Sequence, residues 1–264
     1  MLGCMSRPVL IVGDVQGDVE RLEEALDAYP EDEVDTVFLG DFFQGGRPGA
    51  GGGAAAARVA RRRRNARSVI GNHDIFLLVI LERQRGVEGA VDWRSRDGGP
   101  IEDIWLSRRG DWEDLRAVAA DPELEAWVRS LPAMLMLDDG TLVQHTDDDA
   151  YAQLGSSVET VNDEMGALLA TPGGVRGALR YTIGRNGFDD VARLERYLEL
   201  FRARRVVHGH TPHWHETPLI KHEGRVLGYD GRFSRYWSRG DGEPSGPIGA
   251  TVALLPAAGE GGPG

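Results

Sequence analysis

Lysine is almost absent from this 264-residue chain: of its 30 basic residues only Lys221 is lysine, and the rest are arginine. Against 42 acidic residues this leaves a formal net charge of −12. So acidic a chain is unsuited to bulk binding of duplex nucleic acid, which rests on neutralising phosphates, although a locally positive cleft stays open to it. Cysteine is equally scarce. Cys4 stands alone, ahead of the first apolar run, which precludes an internal disulfide and points to a free thiol in a reducing, cytoplasmic setting. Long apolar runs are missing too. The longest, Ile75–Leu81, falls far short of the about 20 residues that span a bilayer, and no apolar stretch behind a basic start marks a secretory leader. The expectation is a soluble protein without a membrane partner, of unassigned oligomeric state. Aromatics make up only 7 % of the chain, yet its 6 tryptophans include Trp93, Trp105 and Trp112 close together, a set of packing anchors. With 41 % hydrophobic residues, no internal repeat and no linker, residues 1–256 read as a single domain, with a disordered tail at 257–264.

The organisation is that of an α/β protein. Pro8–Gly13 is an uninterrupted apolar run, the pattern of a parallel strand buried on both faces. Asp18 is placed to cap a helix with the stripe Val19, Leu22, Ala25 and Leu26, and Thr36–Leu39 supplies the second strand of a βαβ unit. Gly45–Ala57 reads as a Gly/Ala loop rising into a helix that includes Arg58–Arg67, with Arg61–Arg64 on a solvated face. Ser68–Ile70 is a third strand, Ile75–Leu81 a buried helix, and 86–120 a charged, tryptophan-rich insertion. Asp121-Pro122 opens a helix with Asp at the N-cap and Pro at the first position. Met134–Leu137 and Thr141–Gln144 bracket Asp138-Asp139-Gly140 as a hairpin. Residues 150–200 are largely helical, Val206–Val207 is a further strand, and Arg225–Tyr229 and Ala250–Leu255 close the sheets.

Chemistry gathers where these strands end. Gly13-Asp14-Val15-Gln16-Gly17, Gly40-Asp41, Gly71-Asn72-His73-Asp74, His145 and His208-Gly209-His210-Thr211 each follow a short apolar run. Oxygen and imidazole ligands brought together at strand ends suit a pair of divalent cations. Two such ions about 3.5–4 Å apart are a device for hydrolysing phosphate esters. His213 and His215 repeat the His-x-His spacing, but Pro212 and Trp214 mark an ordinary loop there.

In that order and spacing the motifs resemble the calcineurin-like metallophosphoesterases, in particular the bacterial Ser/Thr phosphatase-like members of the phosphoprotein phosphatase branch, over roughly residues 9–255. They are also similar to symmetrical diadenosine tetraphosphate hydrolases. The family pattern runs Gly-Asp-x-His-Gly, Gly-Asp-x-x-Asp-Arg-Gly, Gly-Asn-His-Glu/Asp, a lone strand-end His, then Gly-His, and Trp127–Pro132 looks like its helix before the His-bearing strand. The resemblance implies a four-layer α-β-β-α sandwich of two mixed sheets flanked by helices, with helical cap-like insertions at about 86–120 and 146–190. It implies one metal on Asp14, Gln16, Asp41 and His210, and a second on Asp41, Asn72, His145 and His208, with Asp41 bridging. It further implies in-line attack by a hydroxide the metals share and His73 as general acid, a step worth about 10²–10⁴-fold.

Three departures from the pattern stand out. Gln16 replaces a histidine, which shifts the expected metals towards Mn²⁺, with Fe, Zn, Ni or Mg as alternatives. Positions 44 and 45 are Gln and Gly where the family has Asp and Arg, so Arg47, Arg176 and Arg180 become the candidate phosphate-binding cations, with Arg185 as an outsider. His145 is followed by Thr146-Asp147-Asp148-Asp149, read as a solvated turn rather than as supports for the ligands. The function expected is phosphomonoester hydrolysis on a phosphorylated protein or small metabolite. Cleavage of dinucleoside tetraphosphates, or a degenerate binder of phosphorylated ligands, are the alternatives.

Overall fold

The structure, a computed structural model, describes residues 7–94, 98–237 and 246–256. Cys4 and the 257–264 tail lie outside the described residues. The chain runs β1 (Val9–Val12), α1 (Val19–Asp27), β2 (Asp35–Phe38), α2 (Gly52–Arg62), β3 (Ala66–Ser68) and α3 (Asn72–Gln84). Then come α4 (Ile101–Ser107), α5 (Trp112–Ala119), α6 (Pro122–Arg129), β4 (Met134–Met136), β5 (Thr141–Gln144), α7 (Val158–Ala170) and α8 (Val175–Leu179). It closes with α9 (Val191–Phe201), β6 (Arg205–His208), β7 (Leu219–Lys221), β8 (Val226–Gly228) and β9 (Val252–Leu254).

Two mixed sheets result, in the strand orders β3-β2-β1-β9 and β4-β5-β6-β8-β7. Their central strands are parallel, and β9, β4 and β7 add antiparallel edges. Strand parity explains the layering, because successive side chains leave a strand on opposite faces. Ile11, Val37, Leu39 and Val69 of one sheet meet Leu137, Val143, Val207, Leu227 and Tyr229 of the other in one buried cluster. Residues of the other parity, among them Leu10, Val12, Phe38, Leu142 and Val206, join the helical residues Leu22, Ala57, Leu78, Leu194 and Leu198 in the outer core. Each fully buried aliphatic side chain contributes about 1.5–3 kcal/mol. No helix among the described residues is long and apolar enough to cross a membrane.

Local chemistry moved several boundaries. The Gly/Ala segment is already helical from Gly52, alanine being the best helix former, and α2 ends at Arg62, so Ala66 and Arg67 belong to β3. Asp18 caps nothing with its side chain. Its carboxylate instead pairs with Arg235 at 2.7 Å, on the far side of the chain. Asp121 does cap α6, accepting from the Leu124 amide. The insertion at 86–120 carries two helices, α4 and α5. Trp105, fully buried, packs edge-on against Trp112 with ring centroids 4.8 Å apart, and Glu102 meets Arg83 of α3 at 2.5 Å. Edge strand β7 had no clear signal, since Leu219–Lys221 offers only three residues.

The sheets touch where β1 ends. The Gly13 amide donates to the Thr251 carbonyl at 2.9 Å within its own sheet, and towards the other sheet a Cβ on Gly13 would stand 1.9 Å from the Tyr229 carbonyl oxygen. Gly13→Ala is therefore expected to cost about 3 kcal/mol in urea unfolding, an overpacking penalty that backbone contacts cannot relieve. A loss under about 1 kcal/mol, the ordinary level for a point substitution, would show that β1 and Tyr229 are not so closely apposed.

Candidate metal centre

All six parallel strands end at one rim. Its loops carry Asp14 and Gln16 after β1, Asp41 after β2, Asn72 and His73 after β3, His145 after β5, His210 after β6 and Asp230 after β8. Each of these side chains is buried. The His145 Nδ1–H donates to the Leu39 carbonyl at 2.7 Å, which orients the ring across the gap between the sheets. His145 Nε2 then stands 2.9 Å from Asn72 Oδ1 and 3.4 Å from Asp41 Oδ1. Those are three acceptor atoms turned towards one another. They repel unless a proton or a cation lies between them. Ligand atoms of Asp41, His145 and His210 all lie within 4.8 Å of one another, and the rings of His145 and His210 are 4.8 Å apart.

Carboxylates crowd the same place. Burial, then repulsion from Asp230 and Asp41, raises Asp14 well above the carboxylate range. Burial lifts Asp41 to about 7 and Asp230 to about 6. Asp230 Oδ2 and Gln16 Oε1 are buried without a hydrogen-bond partner. Such a donor set, negative, partly unsatisfied and converging, fits divalent cations.

The loops are held under strain. Gln16, Asp41 and His210 have positive φ values of 46°, 53° and 61°. Asp74 holds much of this in place: its carboxylate accepts from the amides of Asp41 (2.9 Å), Phe42 (2.8 Å) and Gly71 (2.9 Å). Its role had a readable signal, an acidic residue at the third position of a helix, where it can reach back to the N-cap amide. Asp41 Oδ1 in turn accepts from the His73 amide at 2.8 Å. The His73 ring lies 4.0 Å from Asp41 Oδ2. Burial, then the charges of His145, Arg108 and Arg185, pushes the His73 pKa down to about 3.

The structure separates two histidines that share a motif. His208 has the parity of Val206 on the outer face, whereas His145 has the parity of Val143 between the sheets. The His208 Nδ1 donates to the Gly209 carbonyl at 2.8 Å, and of the four histidines only His73 and His210 line the rim cavity, His145 and His208 lying behind it. His213 lies apart as well, its Nε2 3.1 Å from the Gly228 carbonyl. Asp230 was missed in the sequence, although it directly follows a predicted strand, as Asp14 does. The aspartates after His145 are not a solvated turn. Asp147 and Asp148 are buried, and Asp147 Oδ1 accepts from the Thr211 hydroxyl at 2.6 Å and from the Asn186 amide at 3.0 Å.

A cavity of about 620 Å³ opens over Asp14, Gln16, Asp41, Asn72, His73 and His210. Its remaining walls are Phe76, Ile104, Leu179, Ile183, Trp237, Arg108 and Arg185. None of the three foremost arginine candidates lines it. Arg47 pairs with Glu20 at 3.0 Å in largely exposed surroundings, Arg176 lies over the Trp93 ring at 5.2 Å, and Arg180 stacks on Tyr181 at 4.5 Å.

The calcineurin-like phosphoesterase family model matches residues 7–224. Among solved structures, the cold-active protein-tyrosine phosphatase of a psychrophilic Shewanella species is similar in fold, at 20 % identity and a TM-score of 0.57 over 85 % of this chain and 71 % of that one. A protein serine/threonine phosphatase from Saccharomyces cerevisiae is similar at 13 % identity and a TM-score of 0.50, over 86 % of this chain and 68 % of that one. No curated protein matches the sequence.

The raised carboxylates have a consequence for stability. A group with a folded pKa above its unfolded value stabilises below the unfolded pKa, and that contribution is lost as pH rises through the folded one. Asp41 and Asp230 thus weaken the metal-free fold from about pH 4 to about 7, and Asp14 acts in the same direction, while the lowered pKa of the buried His73 and His210 works in the opposite sense below about 6.5. A cation that replaces protons restores what the carboxylates lose. Mn²⁺ is expected to raise the melting temperature markedly at pH about 8 and little at pH about 5, where protons compete for the same oxygens. Equal increments at both pH values would contradict binding at these carboxylates.

Proposed function

The chain belongs to the calcineurin-like phosphoesterase family, and from that premise we propose that it is a metal-dependent phosphatase hydrolysing phosphomonoesters, on a phosphorylated protein or a small metabolite, at this rim. The observation that carries the reading is the convergence of acceptor atoms from His145, Asn72 and Asp41 beside the crowded carboxylates. Asp14, Gln16, Asp41 and His210 are the residues to hold one cation, and Asp41, Asn72 and His145 the second. Asp41 would serve both. Asp230, which raises the pKa of both Asp14 and Asp41, adds negative charge on the first side. With three carboxylates and two amide oxygens available, the set favours Mn²⁺ over softer ions. Two bound cations supply positive charge for the phosphoryl oxygens and a nucleophilic water at neutral pH.

The protein's own groups do the rest. Asp74 fixes the Asp41 loop so that its carboxylate need not reorganise during reaction. His73 sits on the cavity wall, on the residue after Asn72, and is placed to protonate the leaving oxygen as the P–O bond breaks. With its pKa lowered to about 3, chiefly by burial, its imidazole is neutral at pH 7. A phosphate dianion arriving beside it offsets the arginine charges and favours the protonated ring.

Asp41→Asn is expected to lower kcat below detection with p-nitrophenyl phosphate and Mn²⁺, and retained turnover would refute the assignment. His73→Ala is expected to lower kcat about 10²–10⁴-fold for an alkyl phosphate such as phosphoserine, and far less for p-nitrophenyl phosphate, whose leaving group needs no proton. Equal losses on both substrates would remove His73 from the general-acid role.

A further inference from the structure

The loop after β2 brings no cation to the cavity. Arg47, its one arginine, is tied to Glu20 on the surface. Gly45 has φ 150°, and a Cβ there would stand 2.1 Å from the Gln16 carbonyl oxygen, so backbone already fills the place of a side chain. Positive charge reaches the cavity instead from two segments outside the sandwich: Arg108, at the C-terminal end of α4, and Arg185, between α8 and α9.

Both arginines are exposed, and neither forms an ion pair with a carboxylate among the described residues. Their backbones are nevertheless held. The Arg108 amide donates to the Ile104 and Trp105 carbonyls, one turn from the buried Trp105 and the Glu102–Arg83 pair that fasten α4 to α3. Ile104, four residues before Arg108 and so on the same helix face, lines the cavity with it. Arg185 precedes Asn186, whose amide donates to the buried Asp147. The Phe188 amide donates to the Asp147 carbonyl at 3.0 Å. Two long cationic side chains thus stand on fixed roots at the wall of a cavity whose floor is the metal rim. Guanidinium forks match phosphate oxygens in geometry and charge. Coulombic influence from both also reaches His73, which lies on the side of the leaving group.

We propose, on the phosphatase reading above, that Arg108 and Arg185 are the phosphate-binding residues of this site and grip the non-bridging oxygens of the transferred phosphoryl group from two sides. The substrate they select is a terminal phosphate monoester, whose three free oxygens leave two for the guanidinium groups. The adjoining apolar wall of Phe76, Ile104, Leu179 and Ile183 receives the carbon-bearing portion of the ester.

The test is calorimetric titration of inorganic phosphate into the full-length Mn²⁺-loaded protein and its Arg108→Ala, Arg185→Ala and Arg108→Lys variants, with circular dichroism confirming the fold of each. Each alanine variant is expected to bind phosphate about tenfold more weakly, in keeping with a charge-assisted hydrogen bond. Arg108→Lys should recover part of the affinity, as charge without the fork. In turnover of p-nitrophenyl phosphate the same variants should raise KM about tenfold, with kcat much less affected. Wild-type phosphate affinity in both alanine variants would overturn the clamp. So would an Arg108→Ala variant that binds phosphate normally yet binds pyrophosphate more weakly, since Arg108 would then be reading a second phosphate on the leaving group. Phosphate binding that depends on both arginines in a protein that turns over no ester would uphold the clamp and refute the phosphatase reading.

Discussion

Three carboxylates, Asp14, Asp41 and Asp230, are buried together, and among the described residues no arginine or lysine is hydrogen-bonded to any of them. An arrangement of that kind raises the energy of the folded chain at neutral pH, and it persists only because its surroundings leave no alternative. The residues at this rim are strained as well: Gln16, Asp41 and His210 are left-handed, at about 1–3 kcal/mol each. Against this stands the cluster between the sheets, where Ile11, Val37, Val143, Val207 and their neighbours are shielded from water. That packing fixes the strand ends, and the strand ends fix the loops. Crowded charge and backbone strain therefore describe a site prepared for cations in advance, in which the protein's reorganisation is done at folding rather than at binding.

Two further aspartates serve the site without entering it. Asp74 joins the loops after β2 and β3 through three amide bonds. Asp147 does the corresponding work for the second sheet, joining the loop after β6, through Thr211, to the segment that bears Arg185. In each case a buried acceptor satisfies donors of an irregular loop that no ladder can satisfy. The floor of the cavity and the wall that bears Arg185 are thus fixed by the same device.

Much of this was legible in the sequence, for a simple reason. An apolar run that ends in Gly-Asp or Gly-Asn announces both a buried strand and the polar group at its tip, so β1, β2, β3 and the residues Asp14, Asp41 and Asn72 could be read together. Where the local pattern was ambiguous the sequence told less. His208 and His210 flank a glycine and look equivalent, but parity carries from Val206 to His208 through the strand, while the left-handed turn at His210 resets it. Asp230 follows Tyr229 rather than glycine and passed unnoticed. Asp147 and Asp148 resembled a surface turn because acidic runs normally are one, and only the tertiary structure reveals the donors that bury them. The arginines were the hardest. In a chain where nearly every cation is arginine, residue type carries no information, and which ones face the cavity depends on how the 86–120 insertion packs on α3.

The backbone that presses on Gly45 has a bearing on how this chain can change. Position 45 touches Gln16, Gly46 and Gly52 would each bring a Cβ within about 2 Å of the Gly17 carbonyl, and no single codon replacement there fits without displacing the loop after β1. Drift at the rim is closed off. Variation in what the protein grasps is channelled into α4 and the stretch between α8 and α9, whose arginines project into open space, so that descendants of this chain would diverge in their outer arms while inheriting the floor intact.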